Sequence, residues 1–392
     1  MSWNNRLDKL HQNRRQEKLW RQRSIVSSPQ GREIFLDGQQ LLNFCSNDYL
    51  GLADHRAIKQ AATESIAKYG VGSGAAHLIN GHMDPHHDLE IEIASWVGAE
   101  KAILFSTGYM ANLAIPQAFL NKSDLLLQDR LNHASLIDGG RFSSAKMIRY
   151  PHCDTESVSR RLKRSGYEAA MVMTDGVFSM DGTVAPVPEL NRICKLHEAL
   201  LVVDEAHSIG LIGPDGAGLI RQAGLCPTGN LIMMGTLGKA CGSFGAFIAG
   251  DQQMMDHLVQ FGRSYIYTTA IPPALASATL AAIRLIREHS ELRERLSNHI
   301  EQFRSGLESL FKIQSTTAIQ PIPMPSPAAA IQFSQCLKQD GILVSAIRPP
   351  TVPPNGSRLR ITLSAAHRSE DVERLVQSIV RISKTLSFDS ID

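Results

Sequence analysis

The alternation of short apolar runs with helical stretches between about residues 55 and 271 constrains the fold more than any other feature of the sequence. Each run is apolar along most of its length, which is typical of strands buried on both faces. Strands of this kind separated by helices predict an α/β domain with a mostly parallel sheet covered by helices. Six strands are predicted: Ala102–Phe105, Leu125–Gln128, Ala170–Thr174, Leu200–Asp204, Leu231–Met234 and Gly245–Ala249.

Before this region the sequence is of a different kind. Residues 1–24 are basic and mostly polar, which predicts a surface helix with Leu7, Leu10 and Trp20 as its apolar contacts. Polar and apolar residues then alternate around Asp37-Gly38, which predicts a hairpin. The segment Ser46–Gly51 is expected to leave the hairpin as a loop.

After Pro272-Pro273 the pattern changes again. Residues 274–311 are expected to form one long helical tract, and the proline-rich stretch 319–327 is expected to be a connection. Short strands at 342–344 and 358–363 and a helix at 370–384 follow, which indicates a small α+β domain. We therefore expect three parts: an N-terminal segment over residues 1–45, a large domain over 46–273 and a small C-terminal domain over 274–392.

Composition limits the classes of partner. The 392 residues carry a net charge of +2, which gives no electrostatic case for a nucleic-acid or membrane partner. No apolar run approaches the length of a membrane span. The six cysteines are scattered without CxxC spacing, which favours reduced thiols and a cytoplasmic location. No metal site is expected, since Pro85 interrupts the spacing of His82, His86 and His87, which we assign to a loop and a helix start.

Polar residues follow the predicted strands at their carboxyl ends, where α/β sheets bind ligands. Lys239 stands beyond the strand ending at Met234, after a glycine turn. Burial disfavours the charged form of a lysine, and a neutral amine can form a Schiff base with a carbonyl. Asp204 ends another strand, with His207 three residues on, and a buried carboxylate needs a cationic partner such as a protonated ring nitrogen.

Two further strand ends carry candidates of the same kind. Ser106–Asn112 is a glycine turn into a helix, whose free amides favour an anionic group such as phosphate. His133 follows the strand at 125–128 and could stack on an aromatic ring. Each candidate alone has an ordinary interpretation, such as a solvated lysine, a capping aspartate or a loop histidine. Together they meet the requirements of pyridoxal 5'-phosphate (PLP), which needs a lysine, an acid at its ring nitrogen, a phosphate cup and a flat neighbour.

Eight short motifs then make a family resemblance recognisable. They are Ser46–Gly51, Gly72–Gly74, Ser106–Tyr109, Asn132–Ser135, Val177–Gly182, Val203–His207, Thr236–Lys239 and Arg358–Arg360. With these motifs the chain resembles the α-oxoamine synthases, PLP-dependent enzymes of the aspartate-aminotransferase fold (fold type I). Asp175, Glu205 and the stretch 240–245 depart from the usual family pattern but remove no required group.

The resemblance implies roles for individual residues. Lys239 would hold the cofactor as a Schiff base and act as a base, Asp204 would pair with the ring nitrogen, and His207 would bond the ring's phenolic oxygen. His133 would stack on the ring. The other implied cofactor contacts are Gly108, Tyr109, Ser179, Thr236 and Thr268. The implied substrate contacts are Arg21, Asn47, His133, Thr351 and Arg360.

The resemblance also implies a reaction and an assembly. Arg21 after Trp20 and the stretch Ala346–Pro353 favour the branch that condenses L-alanine with a pimeloyl thioester, with loss of CO2, in biotin biosynthesis. The thioester could be on coenzyme A or on a carrier protein. A homodimer with shared active sites is implied, in which Thr268 or Thr269 reaches the partner's phosphate.

Two alternatives follow from the same residues. The related enzymes glycine C-acetyltransferase, 5-aminolevulinate synthase and serine palmitoyltransferase would share every cofactor contact, since the choice of substrate depends on pocket shape. Val203–His207 also spells the second motif of a helicase, a nucleic-acid motor. That alternative is remote, because the required Gly-x4-Gly-Lys-Ser/Thr loop is missing upstream and Lys239 is followed by Ala240.

Overall fold

A computed structural model describes residues 2–17, 19–164 and 166–386 of the chain. They divide into two units. The smaller unit holds the described residues of Met1–Ser46, Met180–Gly182 and Leu296–Asp392, and the larger unit holds those of Asn47–Ser179 and Thr183–Arg295. The three-part division expected from the sequence stays a prediction, and its positions 1, 18, 165 and 387–392 lie outside the described residues.

The helices and strands alternate through most of the chain. The helices are α1 (Trp3–Gln16), α2 (Arg56–Tyr69), α3 (Asp84–Val97), α4 (Gly108–Phe119), α5 (Ala134–Phe142), α6 (Thr155–Leu162), α7 (Val187–Leu196), α8 (Leu219–Gln222), α9 (Gln252–Phe261), α10 (Arg263–Ile266), α11 (Pro273–Glu288), α12 (Ser290–Leu307), α13 (Pro327–Gln339) and α14 (Ser369–Thr385). The strands are β1 (Glu33–Leu36), β2 (Gln39–Asn43), β3 (Lys101–Phe105), β4 (Leu125–Asp129), β5 (Lys146–Tyr150), β6 (Ala170–Asp175), β7 (Leu200–Asp204), β8 (Leu231–Thr236), β9 (Ala246–Gly250), β10 (Ile319–Pro323), β11 (Ile342–Leu343), β12 (Ser345–Ile347) and β13 (Arg358–Thr362). A π-helical turn spans His77–Gly81 and a 3-10 turn spans Pro214–Gly216.

The larger unit is built on a seven-stranded sheet in the order β3-β9-β8-β7-β6-β4-β5. Strand β9 is antiparallel to both neighbours, and the remaining pairs are parallel. All six strands predicted from apolar runs are confirmed, with ends shifted by at most two residues. The seventh, β5, was missed because it lies at the edge of the sheet and exposes Lys146 and Arg149, so it lacks an apolar run.

The direction of the strands positions the candidate residues. Strands β3 and β8 are both antiparallel to β9 and therefore run the same way. The carboxyl ends of β3, β4, β6, β7 and β8 consequently lie at one edge of the sheet. Behind that edge, apolar residues of the strands pack against α4 and α9, with Ala111, Ile115 and Leu258 fully buried. This core holds the strand ends in place.

The smaller unit contains two three-stranded sheets. One has the order β1-β2-β11 and the other the order β10-β13-β12. The predicted hairpin is confirmed, since Asp37 and Gly38 both have positive φ, 50° and 82°, as a two-residue turn between β1 and β2 requires. The predicted strands near 342 and 358 and the C-terminal helix are confirmed as β11, β13 and α14.

The N-terminal helix is shorter than predicted. It ends at Gln16, and residues 19–24 are not helical. None of the described residues of α1 is buried, so no packing energy supports a longer helix. Leu7 and Leu10 are exposed, whereas Trp20 lies beyond the helix and meets the ring of His11 edge-on at 5.0 Å.

The long helical tract predicted after Pro272 is interrupted. His289 has φ −115° and ψ 81°, so α11 ends before it and α12 begins after it. Ser290 followed by Glu291 is a helix-start pattern, but neither proline nor glycine marks the break in the sequence.

The prediction of a connection over residues 319–327 was wrong in its first half, where β10 pairs with β13. Prolines disfavour strands because they lack an amide donor. Here Met324 donates to the carbonyl of Ser357, and the alternation of the antiparallel ladder therefore turns the nitrogens of Pro321 and Pro323 away from β13. An edge strand tolerates prolines in these positions.

Among the described residues, no helix combines the length and apolar character that a membrane crossing requires.

Candidate active site

The side chains predicted to bind a cofactor gather at the carboxyl edge of the large sheet. Asp204 is the last residue of β7, and Lys239 lies three residues beyond the end of β8. His133 follows β4 as the N-cap of α5, and α4 begins at Gly108 just after β3. Four separate strand ends thus supply the site.

Lys239 and His207 form a direct pair. The Lys239 Nζ lies 2.9 Å from His207 Nε2, and His207 Nδ1 lies 2.7 Å from the hydroxyl of Tyr49. That hydroxyl donates to Asn47 Oδ1 at 3.2 Å. Tyr49 is fully buried, so it fixes the orientation of the imidazole that faces the lysine.

The carboxylate of Asp204 is buried and accepts two hydrogen bonds. The amide of Ala206 donates to Oδ1 at 2.9 Å, and Asn112 Nδ2 donates to Oδ2 at 2.7 Å. Asn112, on α4, also donates from Nδ2 to the Ser135 hydroxyl at 2.9 Å. These donors suit an ionised carboxylate, which is the form needed to hold a protonated ring nitrogen.

His133 is held from two sides. Its backbone amide donates to Asp175 Oδ2 at 2.7 Å, and its Nδ1 lies 2.7 Å from the hydroxyl of Ser135. Burial lowers the pKa of His133, and the charge of Lys239 lowers it further against the opposing effect of Asp204. Burial and the nearby charge of Asp204 raise the pKa of Asp175 well above its usual value. Because its pKa is lowered, the imidazole of His133 is neutral near neutral pH.

The start of α4 meets the requirements of a phosphate cup. The Thr107 hydroxyl caps the helix by accepting from the amide of Met110, which leaves the amides of Gly108 and Tyr109 without acceptors inside the helix. A Cβ at Gly108 would lie 2.7 Å from the Thr236 methyl group, so only glycine allows this approach. The hydroxyl of Thr236 is buried without a hydrogen-bond partner. Such an atom needs an acceptor or donor from outside the protein, which fits a phosphate-bearing cofactor.

Three other predicted cofactor contacts are held less tightly. Tyr109 is exposed, and its hydroxyl donates to the carboxylate of Asp138. Ser179 and Thr268 are both half-buried, and Thr269 is exposed. Their predicted contacts with the cofactor stay predictions.

The predicted substrate residues lie in different parts of the chain. In the smaller unit, Arg21 Nη2 donates to the Thr351 hydroxyl at 3.3 Å, so the fold brings together residues 330 positions apart. Arg360 is a buried residue of β13 in the same unit. Asn47 belongs to the larger unit. Their substrate roles stay predictions.

Glu205 follows Asp204 but belongs to a different set of contacts. Its buried carboxylate accepts from the amides of Leu219 and Ile220 at 2.9 and 2.8 Å and from the hydroxyl of Ser208. Burial raises the pKa of Glu205. Its carboxylate therefore holds the start of α8, where Leu219 and Ile220 are the first two residues of the helix.

His86 has the helix-start position predicted for it. Its Nδ1 accepts from the amide of Met83 at 3.0 Å at the start of α3, and its Nε2 lies 2.6 Å from the carbonyl of Ile271. Both ring nitrogens are thereby engaged in holding the protein backbone.

The sequence alone gave no prediction for three residues of this site, Asn112, Ser135 and Tyr49. All three lie within motifs that were recognised, but polar residues inside such motifs are usually exposed or cap a turn. The signal that could have found Asn112 is its position in the second turn of α4, where a helix packed on a sheet is expected to be apolar.

Known proteins resemble this chain in sequence and in fold. Residues 39–379 match the family model described as aminotransferase class I and II. The chain is 47% identical over 381 residues to an 8-amino-7-oxononanoate synthase from Hydrogenovibrio crunogenus, with 96% of each chain covered.

Solved structures show the same likeness. An 8-amino-7-oxononanoate synthase from Francisella tularensis is 30% identical, with a TM-score of 0.78 over 88% of this chain and 99% of that one. A serine palmitoyltransferase variant from S. paucimobilis, described with a bound PLP–myriocin aldimine, is 27% identical, with a TM-score of 0.93 over 99% and 100% of the two chains. These likenesses confirm the predicted fold class.

Proposed function

Because this chain belongs to the aminotransferase class I and II family, and within it to the 8-amino-7-oxononanoate synthases of the α-oxoamine synthase group, we propose that it condenses L-alanine with a pimeloyl thioester. The products are 8-amino-7-oxononanoate, CO2 and the free thiol, and the step belongs to biotin biosynthesis. The enzyme is a PLP-dependent acyltransferase. A nucleic-acid motor is set aside, since the sequence lacks the required Gly-x4-Gly-Lys-Ser/Thr loop upstream of Val203–His207.

The pair formed by Lys239 and His207 is the observation that best supports this function. Its amine and imidazole nitrogens lie 2.9 Å apart. Both residues follow strands whose carboxyl ends lie at the same sheet edge as Asp204 and the start of α4. A base, a carboxylate and a phosphate cup at one edge are the groups that PLP chemistry requires.

When bound, PLP supplies an aldehyde that condenses with amines and a protonated ring that stabilises negative charge on the attached carbon. Gly108, Tyr109, Ser179, Thr236 and Thr268 are the residues we propose to hold it, together with the stacked ring of His133. Asp204 would keep a proton on the ring nitrogen, because Ala206 and Asn112 already stabilise its ionised form.

Lys239 has two proposed tasks at its Nζ atom, attachment of the cofactor and removal of the α-proton from L-alanine. His207 Nε2 is within hydrogen-bond distance of that nitrogen. Since Tyr49 and Asn47 fix the His207 ring, Nε2 can accept a proton shared with Lys239 or donate to an oxygen of the bound molecules.

The remaining roles concern substrates and assembly. We propose that Asn47 and Arg360 bind the carboxylate of alanine, and that Arg21 and Thr351 contact the acyl substrate. We also propose a cytoplasmic homodimer in which Thr268 or Thr269 reaches the partner's phosphate. A light-scattering mass equal to the single chain, 43.0 kDa, would contradict the dimer.

Steady-state kinetics with a panel of substrates test the reaction. L-alanine, glycine and L-serine are each combined with pimeloyl, acetyl, succinyl and palmitoyl thioesters, on coenzyme A and on a carrier protein. We expect kcat/KM for alanine with the pimeloyl thioester to exceed every other pair by about 100-fold or more, as pocket-based selection allows. A higher value for glycine with acetyl, glycine with succinyl or serine with palmitoyl thioester would assign the chain to a related enzyme instead.

A further inference from the structure

We propose that Asn112 and Ser135 lock His133 in its neutral form with the proton on Nε2, and so act as positioning residues for the reaction. The inference rests on the proposed function only for what the Nε2–H group meets. The protonation pattern itself follows from hydrogen bonds within the larger unit.

Nδ1 of His133 accepts hydrogen bonds from Ser135. Two groups of Ser135 approach it, the hydroxyl at 2.7 Å and the backbone amide at 3.3 Å. A backbone amide can only donate, so Nδ1 accepts in this arrangement, and a proton on it is disfavoured. A neutral imidazole with a bare Nδ1 has its proton on Nε2.

The second step concerns the direction of the Ser135 hydroxyl. Asn112 Nδ2 donates to that oxygen at 2.9 Å. With this bond the hydroxyl oxygen is an acceptor on one side, and its own proton is free to point at His133 Nδ1. The bond from Asn112 therefore orients the Ser135 hydroxyl, and this hydroxyl in turn donates to Nδ1 of His133.

The third step explains why Asn112 keeps its own orientation. Its Nδ2 lies 2.7 Å from Asp204 Oδ2, so a flipped amide would place its oxygen against the carboxylate. Oδ1 of Asn112 is buried without a hydrogen-bond partner, which shows that the amide is held through its two N–H bonds alone. The negative charge of Asp204 thus orients the whole series, from Asn112 through Ser135 to His133.

Burial makes this series rigid. Asn112 and Ser135 are each 1% exposed, so bulk water cannot compete for their bonds. Among the described residues, no protein group forms a hydrogen bond with Nε2 of His133. The nitrogen that carries the proton is therefore the one left to a bound molecule.

The consequence is a histidine that can stack on a cationic ring and still donate a hydrogen bond. An imidazolium at this position would repel a protonated ring nitrogen and the ammonium of Lys239. A neutral ring with a proton on Nδ1 would present an acceptor to the bound molecules instead. The series from Asp204 excludes both forms.

Nuclear magnetic resonance of the holoenzyme, labelled with 15N-histidine, tests this directly, because long-range proton–nitrogen correlations distinguish the three forms of imidazole. The His133 signals are assigned by their loss in His133→Gln. We expect the pattern of a neutral ring protonated on Nε2 in the wild type. An imidazolium or an Nδ1-protonated ring would overturn the proposal.

Two variants test the route. Ser135→Ala removes the hydroxyl and should lower the preference for the Nε2–H form about fivefold, the effect of one hydrogen bond, with kcat reduced by a similar factor and KM for L-alanine unchanged. Ser135→Thr keeps the hydroxyl and should restore both. Asn112→Leu should have an effect like that of Ser135→Ala, since it removes the donor that orients the Ser135 hydroxyl and adds no charge beside Asp204.

Ser143→Ala is the matched control, because Ser143 lies at the other end of α5 and its hydroxyl donates to Gly140. It should leave the His133 pattern unchanged. A Ser135→Ala enzyme with an unaltered His133 pattern would refute the positioning role. Since the spectra need no turnover, this outcome is independent of the substrate panel, whose failure would leave the protonation pattern intact.

Discussion

The two consecutive acids at the end of β7 lie in regions with opposite properties. Asp204 accepts a hydrogen bond from Asn112, whose Oδ1 has no hydrogen-bond partner. The hydroxyl of Thr236, in the same unit, also has no hydrogen-bond partner. On the other side, Glu205 receives two backbone amides and the Ser208 hydroxyl. A Cβ at Gly218 would come within 2.9 Å of the Glu205 carboxyl carbon, so this second region is packed to its limit.

A binding region and a structural region can both be buried and polar, and their hydrogen bonding distinguishes them. Around Glu205 the donors and acceptors are matched within the protein, so the contacts serve stability. Around Asp204 the protein fixes the orientation of each group but leaves bonding capacity for something else. Three experiments test this contrast.

The largest effect is expected for Lys239→Ala. Loss of the amine should lower kcat by more than about 10⁴-fold and remove the visible absorbance of the attached cofactor, because both proposed tasks of the lysine disappear. The free energy of unfolding of the cofactor-free protein should stay the same. Lys101→Ala, which removes a surface lysine paired with Asp256, is the matched control and should retain activity. Normal turnover by Lys239→Ala would refute the proposed site.

The second experiment replaces each of the two acids with its amide. Asp204→Asn should lower kcat about 10² to 10³-fold, the usual cost of a lost electrostatic partner at a reacting centre, and should cost about 1 kcal/mol of unfolding free energy, because one of the two donors to Asp204 is left facing an amide NH2. Glu205→Gln should affect stability more than activity, because three donors meet its carboxylate. It should cost about 2 kcal/mol of unfolding free energy, because one donor is left facing an amide NH2, while kcat of the folded enzyme is retained.

Urea unfolding and steady-state kinetics on both variants give the answer. Equal losses of activity in the two variants, or a larger loss of stability in Asp204→Asn, would show that the contrast between the two regions is mistaken.

The smallest effect is expected for Thr236→Val, which keeps the shape of the side chain and removes the unpartnered hydroxyl. If that hydroxyl binds the cofactor phosphate, PLP affinity should fall about tenfold, the value of one hydrogen bond to a charged group. Equilibrium dialysis of PLP measures this, and Thr174→Val, which removes a buried hydroxyl bonded to the carbonyl of Asp175, serves as the control. An unchanged PLP affinity in Thr236→Val would remove this residue from the phosphate cup.

The sequence predicted the parts of the fold that follow from local patterns. Buried strands such as β7 and β8 are continuous apolar runs, and the turn at Asp37-Gly38 has its own residue signature. Strand β5 and the prolines of β10 were missed, since their strand character comes from a neighbour in the sheet and from their position at an edge. The break at His289 was missed because neither proline nor glycine marks it in the sequence.

The candidate site was predicted in a similarly uneven way. Lys239, Asp204 and His133 follow strands, so their convergence could be inferred from sheet topology. Asn112 and Ser135 could not, because their importance depends on tertiary contacts between α4, α5 and β7 that no spacing encodes. Sequence motifs located the groups proposed to meet the cofactor, and only the structure located those that orient them.

The prolines of β10 affect how this sheet can meet a strand of another molecule. Their nitrogens face away from β13, along the open margin of that sheet, and offer no donors there. A strand from another molecule would find acceptors but few hydrogens on this margin, so it could not extend the ladder. Pro321 and Pro323 thereby leave this margin short of the amide donors that a strand from another molecule would need to pair with it.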